Sequence, residues 1–177
     1  MFVENLFIIV GAGLFVFLLW IIVGVRHLKY LHKELEAQWE LVWESLMKRY
    51  DLIPNLMETA RRFTDKEEVL IEEVIDKRKL ACGEKSKGGE KILLEIELSK
   101  GINELVGLGV KYPLLAIDTN FLELRKEIDD LENNLEEKTN RYNDMVRYYN
   151  RHRNILILRP LALVFRYHLE SIFEVEK

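Results

Sequence analysis

The chain has little of what small catalytic or secreted domains are made from. A single cysteine among 177 residues, Cys82, excludes an internal disulfide framework and any zinc site built from thiolates. Three prolines and nine glycines, two of them at 88–89, leave long stretches without a breaker, which favours helices. Four histidines stand at His27, His32, His152 and His168. None lies in an HExxH motif and none follows a glutamate by three, the spacing of a di-iron bundle. GEKSKGGEK (83–91) lacks the spacing of a phosphate loop, and no serine sits in a nucleophile elbow. The formal charge of −4 with 32% charged residues gives no overall pull toward nucleic acid. These absences describe a chain with no catalytic residues, no metal ligand set, no cofactor and no nucleic-acid partner.

What is present begins with Leu6 to Val25, twenty residues without a charge, fifteen of them Leu, Ile, Val or Phe. A helix of that length spans roughly 30 Å, the hydrocarbon thickness of a bilayer. A cleaved signal peptide would have a basic start and a small-residue cleavage site. Here the start carries Glu4, and the run exits into VRHLK. The reading is an uncleaved transmembrane helix over 6–25 behind a short tail, 1–5. Arg26, Lys29 and Lys33 follow the span, so the positive-inside rule places residues 26–177 in the cytoplasm.

The remaining residues, about 150, suffice for one domain with its own core. Leu28, Leu31, Leu35, Trp39, Val42, Leu46 and Tyr50 recur three and four apart, a helical face over 26–50. Ile53-Pro54 predicts a break, because the residue before a proline is pushed out of helical geometry, and Pro54 suits a first helical position. A second helix then covers 54–81, and 82–90 is a polar loop. A third covers 90–109 on Leu94, Leu98, Ile102 and Leu105, with Gly107 or Gly109 as its C-terminal cap. The fourth, 119–153, is the most regular: Asp118, Thr119 and Asn120 offer N-caps, and Asn120 with Glu123 has capping-box spacing. Phe121 through Tyr149 then follow a seven-residue repeat interrupted at Lys138. A hairpin at Pro54 gives four helices with short loops, so the expected fold is all-α: an N-terminal transmembrane helix, then an antiparallel up-and-down four-helix bundle over 26–154.

Charge is unevenly spread. Residues 119–140 hold seven acids against three bases, while 141–168 hold six arginines against Asp144 alone. An apolar run, ILILRPLALVF (155–165), then opens the last segment, 155–177, and is too short to span. In an up-and-down bundle the fourth helix descends to the level of the anchor. Arg147, Arg151, Arg153 and Arg159 with Leu156, Leu158, Leu161 and Phe165 are therefore the expected surface contact with the bilayer; the alternative is packing over the bundle's end.

RYDLIPNLMETARRF (49–63), NFLELRKEIDDLENNL (120–135) and RYNDMVRYYN (141–150), in this order behind an apolar amino terminus, resemble the LemA family of bacterial and archaeal membrane proteins. The resemblance implies a compact helical domain behind an anchor and no assigned enzymatic activity. Genes of that family often neighbour membrane metalloproteases, which implies an adapter role and a membrane protease among the partners. Two departures stand out. Tyr149-Asn150 leads into RHRNILILRP in place of an aromatic-proline element, and no cysteine precedes Cys82 for the lipid attachment some members carry. The expected function is a non-catalytic, membrane-anchored scaffold or adapter holding a protein partner at the membrane. The alternative is a regulatory or sensory subunit of a membrane protease or other membrane complex. A scaffold predicts no pocket with convergent polar groups inside the bundle; the alternative predicts one.

Overall fold

The computed structural model describes residues 2–64, 66–155 and 158–174. Among them all regular structure is helical: α1 (Phe2–Arg61), α2 (Glu68–Gly83), α3 (Gly89–Lys111), α4 (Pro113–Ala116), α5 (Thr119–Arg153) and α6 (Arg159–Val164). The fold class is thus all-α with a long apolar N-terminal helix. By length and composition α1 is able to cross a membrane, and from Phe7 to Leu19 its large side chains are exposed where described. The chain divides into two compact units, Met1–Ala37 with Asp144–Glu170, and Gln38–Asn143 with Ser171–Lys177.

The expected hairpin at Ile53-Pro54 does not form. Pro54 lies inside α1, with Ile53, Leu56 and Ala60 fully buried around it. A proline in a helix interior removes the bond to the carbonyl four residues back and costs about 3 kcal/mol. That carbonyl belongs to Tyr50, and Arg78 Nε of α2 donates to it at 2.7 Å. The side chain supplies the hydrogen bond that proline withholds, so the helix continues. The turn falls after Arg61 instead, where Phe63 N–H donates to Ala60 O at 3.0 Å and the Thr64 hydroxyl donates to the same oxygen at 2.9 Å. The second helix is therefore Glu68–Gly83, not 54–81.

In the second unit the stripe from Trp39 to Tyr50 is buried as its spacing required. Arg61 pairs with Glu68 near the turn and Tyr50 meets Arg78 further back, so α1 and α2 run antiparallel. Asn120 donates to Thr59 Oγ1 at 2.7 Å, and Lys138 donates to Ser45 Oγ at 2.8 Å, so α5 descends along α1. Glu67 accepts from Tyr112 at 2.8 Å, while Lys91 at the other end of α3 reaches Ala81 O at 2.5 Å; α2 and α3 also oppose each other. Of the three N-cap candidates Asp118 is the one used, and α3 has Tyr112 instead of a glycine at its C-terminal cap. Asp118 Oδ1 caps α5 by accepting from Phe121 N–H at 2.9 Å, leaving Asn120 for Thr59. Gly109 does not cap α3, which continues to Lys111; a Cβ there would sit 3.0 Å from Phe121 Cε1, so its glycine serves close packing of α5.

In the first unit Leu28 is buried with Leu161 and Ala162 of α6, flanked by Trp20, Ile21, Leu158 and Tyr167. A Cβ on Gly24 would lie 2.5 Å from Leu161 Cδ1, so the missing side chain admits α6. The chain leaves α6 through Arg166 at φ 56, with Tyr167 N–H bonded to Ala162 O at 2.9 Å, the closing bond of a Schellman turn. Side chains of α5 then hold the backbone that follows: Arg153 Nε donates to Tyr167 O at 2.9 Å, and Tyr149 OH to His168 O at 3.2 Å.

Candidate functional site

Three ionisable side chains are buried together in the second unit: Arg49 from α1 and Lys91 and Glu95 from α3, joined by Tyr50. Lys91 and Glu95 are one helical turn apart and share a face. The Glu95 carboxylate accepts from Arg49 Nη2 and from the Tyr50 hydroxyl. Lys91 Nζ lies 2.7 Å from Glu95 Oε1, donates to Tyr50 OH at 2.7 Å, and sits 4.8 Å from the Trp43 ring centre. Burial pulls the Lys91 ammonium below its ordinary range, with Glu95 pushing back. Burial and the neighbouring carboxylate push the Tyr50 phenol up. An isolated buried charge is costly, so each member depends on the others.

Arg49 completes the cluster at the edge of a cleft of about 350 Å³. Its Nη1 donates to Ser99 Oγ at 2.9 Å, and its Nε is buried without a hydrogen-bond partner. Asn103 of α3 and Thr139 and Asn140 of α5 add amides and a hydroxyl, Leu135 an apolar patch, and Glu132, Glu136 and Glu174 carboxylates. The C-terminal segment is fixed there by Asn143, whose amide donates to Phe173 O at 2.8 Å and accepts from Phe173 N–H at 2.7 Å. Phe173 is fully buried, 5.2 Å from Trp39 between ring centres. The lining offers hydrogen bonds of both kinds and charge of both signs.

A family model described as the LemA family matches residues 38–177. The chain belongs to the LemA family. No curated protein matches it. The LemA match begins at Gln38, where the second unit also begins, so the buried cluster and the cleft lie wholly inside the family region.

Sequence reasoning missed this cluster because the stripe expected for the third helix holds apolar residues only, Leu94, Leu98, Ile102 and Leu105, and leaves Lys91 and Glu95 out. Lys91 and Glu95 extend Leu98, Ile102 and Leu105 backward at the same spacing, and Leu94, the expected core residue, is only half-buried.

The expected bilayer-contact residues are partly brought together. Leu161 is buried against Leu28 and Leu158 is half-buried, whereas Phe165 is exposed beside the exposed Leu163 and Val164. Leu156 lies outside the described residues, and Leu6 and Val25 both fall within α1. Arg151 and Arg159 are exposed. Arg147 pairs with Asp144 at 3.0 Å, and Arg153 is engaged by Tyr167 O.

Proposed function

We propose that this LemA family protein is a non-catalytic, membrane-anchored regulatory module. In this reading residues 6–25 span the bilayer, residues 26–177 are cytoplasmic by the positive-inside rule, and the antiparallel pairings of α1, α2, α3 and α5 close an up-and-down four-helix bundle. A small polar ligand in the cleft then alters how the bundle engages a membrane protein, a protease being the kind of partner the family resemblance suggests. The cleft carries this reading: a plain scaffold needs no hollow in which Asn103, Thr139 and Asn140 meet around Leu135. A plain scaffold, whose partner binds without regard to the cleft, is the second reading.

The test compares membrane extracts of cells carrying the wild-type chain or Asn140→Trp, which fills the cleft from an exposed position. Partners are recovered in detergent and quantified by mass spectrometry. A membrane protein whose recovery changes several-fold on filling supports regulation. A partner indifferent to filling returns the protein to the scaffold class, and recovery of no membrane protein removes both readings.

The bilayer contact belongs to the same proposal with one revision. Leu161 turns inward, so Leu163, Val164 and Phe165 are the lipid-facing set, with the arginines of 147–166 near anionic headgroups. A fluorophore on Val164→Cys, in a Cys82→Ser background, is expected to shift to the blue in anionic bilayers; an unshifted spectrum removes the contact.

A further inference from the structure

A second cluster of donor atoms lies in the first unit, apart from the cleft. His32 and Glu36 are one turn apart on α1 and so share a face. Glu170 joins them from far along the chain, and one ligand atom of each lies within 4.8 Å of the others. We infer that His32, Glu36 and Glu170 bind one divalent transition-metal ion of the zinc class, fastening the segment after α6 to α1.

The backbone carrying Glu170 is held by α5 and needs no metal to arrive. Asn150 accepts from Glu170 N–H at 3.0 Å and donates to its carbonyl at 2.8 Å. With Arg153 on Tyr167 O and Tyr149 on His168 O, three successive α5 contacts fix main chain, leaving the Glu170 carboxylate to face His32 and Glu36. His32 and Glu36 form a loose pair one helical turn apart, with both side chains about two-fifths exposed. His32 Nε2 and Glu36 Oε1 stand 3.9 Å apart, beyond hydrogen-bond length. The other ring nitrogen of His32 is buried without a hydrogen-bond partner. Metal–ligand bonds of about 2.0–2.2 Å in a tetrahedron set neighbouring ligand atoms roughly 3.3–3.6 Å apart. Closing from 4.8 Å is within reach of side-chain rotation on a fixed backbone.

The donor set selects the ion. One imidazole nitrogen with two carboxylates suits Zn²⁺, Co²⁺, Fe²⁺ or Mn²⁺, whereas Mg²⁺ and Ca²⁺ favour all-oxygen shells. Three protein ligands leave the remaining position to water. Sequence reasoning missed the set because its third member is supplied by topology, not by spacing.

The experiment uses the full chain in detergent micelles, stripped with chelator and titrated with Co²⁺. One Co²⁺ per chain is expected, with a visible absorption band abolished by equimolar Zn²⁺ and untouched by millimolar Mg²⁺. His32→Gln and Glu170→Gln are each expected to weaken binding at least tenfold with helical circular dichroism unchanged; Glu34→Gln and His27→Gln are expected to leave it within twofold. Zn²⁺ should raise the melting temperature of the wild type and not that of His32→Gln. Absence of saturable binding overturns the inference, as does binding that survives the His32→Gln/Glu170→Gln double variant. Loss of binding in His27→Gln alone places the metal elsewhere and equally overturns it. None of these variants touches the cleft, so the regulatory reading stands or falls separately.

Discussion

The two units cover the same helix with opposite chemistry. In the first, α1 presents Gly24 and Leu28 to Leu161 and Ala162, an apolar contact. In the second it presents Arg49 and Tyr50 to Lys91 and Glu95, a patch held by buried charge. Apolar contacts are non-directional, so a patch of leucines tolerates sliding and repacking. A buried ion cluster fixes distances and angles and fails when one member is lost. We therefore expect the second unit to be the rigid part of the family region, and the patch under α6 to be the part that gives way first.

The largest effect tests that contrast directly. Glu95→Ala strands Arg49 and Lys91 without their shared carboxylate and is expected to cost about 3–5 kcal/mol, read as a thermal or denaturant shift of the full chain in micelles. Replacing all three together, Arg49→Met, Lys91→Met and Glu95→Leu, should restore most of the loss, because apolar groups of similar volume need no counter-charge. In the first unit Ala162→Ser, a change of one polar atom at the α6 contact, should cost far less. If Glu95→Ala falls below about 1 kcal/mol, the size of an exposed pair, the cluster is hydrated in solution and the contrast between the units collapses.

A smaller effect sharpens it within the second unit. Arg78→Met leaves the Tyr50 carbonyl without its donor, an expected loss of about 1–3 kcal/mol for a buried acceptor. In a Pro54→Ala background the main-chain N–H at position 54 reaches that carbonyl, so Arg78→Met should then cost little. A double-mutant cycle by denaturant unfolding reads the difference as a coupling energy. Zero coupling would mean that Arg78 does not stand in for the missing N–H and that α1 passes Pro54 for another reason.

This coupling also marks where the sequence stopped being legible. The stripe from Leu28 to Tyr50 could be read because every member is apolar and the spacing is helical; all seven are buried. α5 was readable from its seven-residue spacing despite Lys138, and it runs Thr119–Arg153 as expected. Pro54 was misread because the rule that breaks a helix at proline is local, whereas the group that rescues it, Arg78, comes from another helix. The cluster at Glu95 was not legible because charge usually marks surface, and only the opposing Arg49 makes its burial tolerable. The cleft and the His32–Glu36–Glu170 group were invisible because each joins residues from separate elements. What periodicity encodes was recoverable; what a second helix supplies was not.

The smallest effect lies at the exit from α6. Arg166 adopts φ 56, a left-handed conformation that costs a residue with a Cβ roughly 1–2 kcal/mol and glycine almost nothing. The turn is closed by Tyr167 N–H on Ala162 O and held from α5 by Arg153 on Tyr167 O, so relieving the strain should not move it. Arg166→Gly is therefore expected to stabilise the first unit by up to about 1 kcal/mol, after the added entropy of a glycine in the unfolded chain is subtracted. The same substitution removes one basic group from the stretch proposed to meet the bilayer, where each contributes about 1 kcal/mol near an anionic surface. The two effects separate by lipid. In neutral nanodiscs the variant should melt slightly above the wild type; in anionic nanodiscs that gain should shrink toward zero or reverse. An equal gain in both lipids would show that Arg166 is retained for neither conformation nor charge, and would take the arginine-rich end of α5 and α6 off the membrane surface.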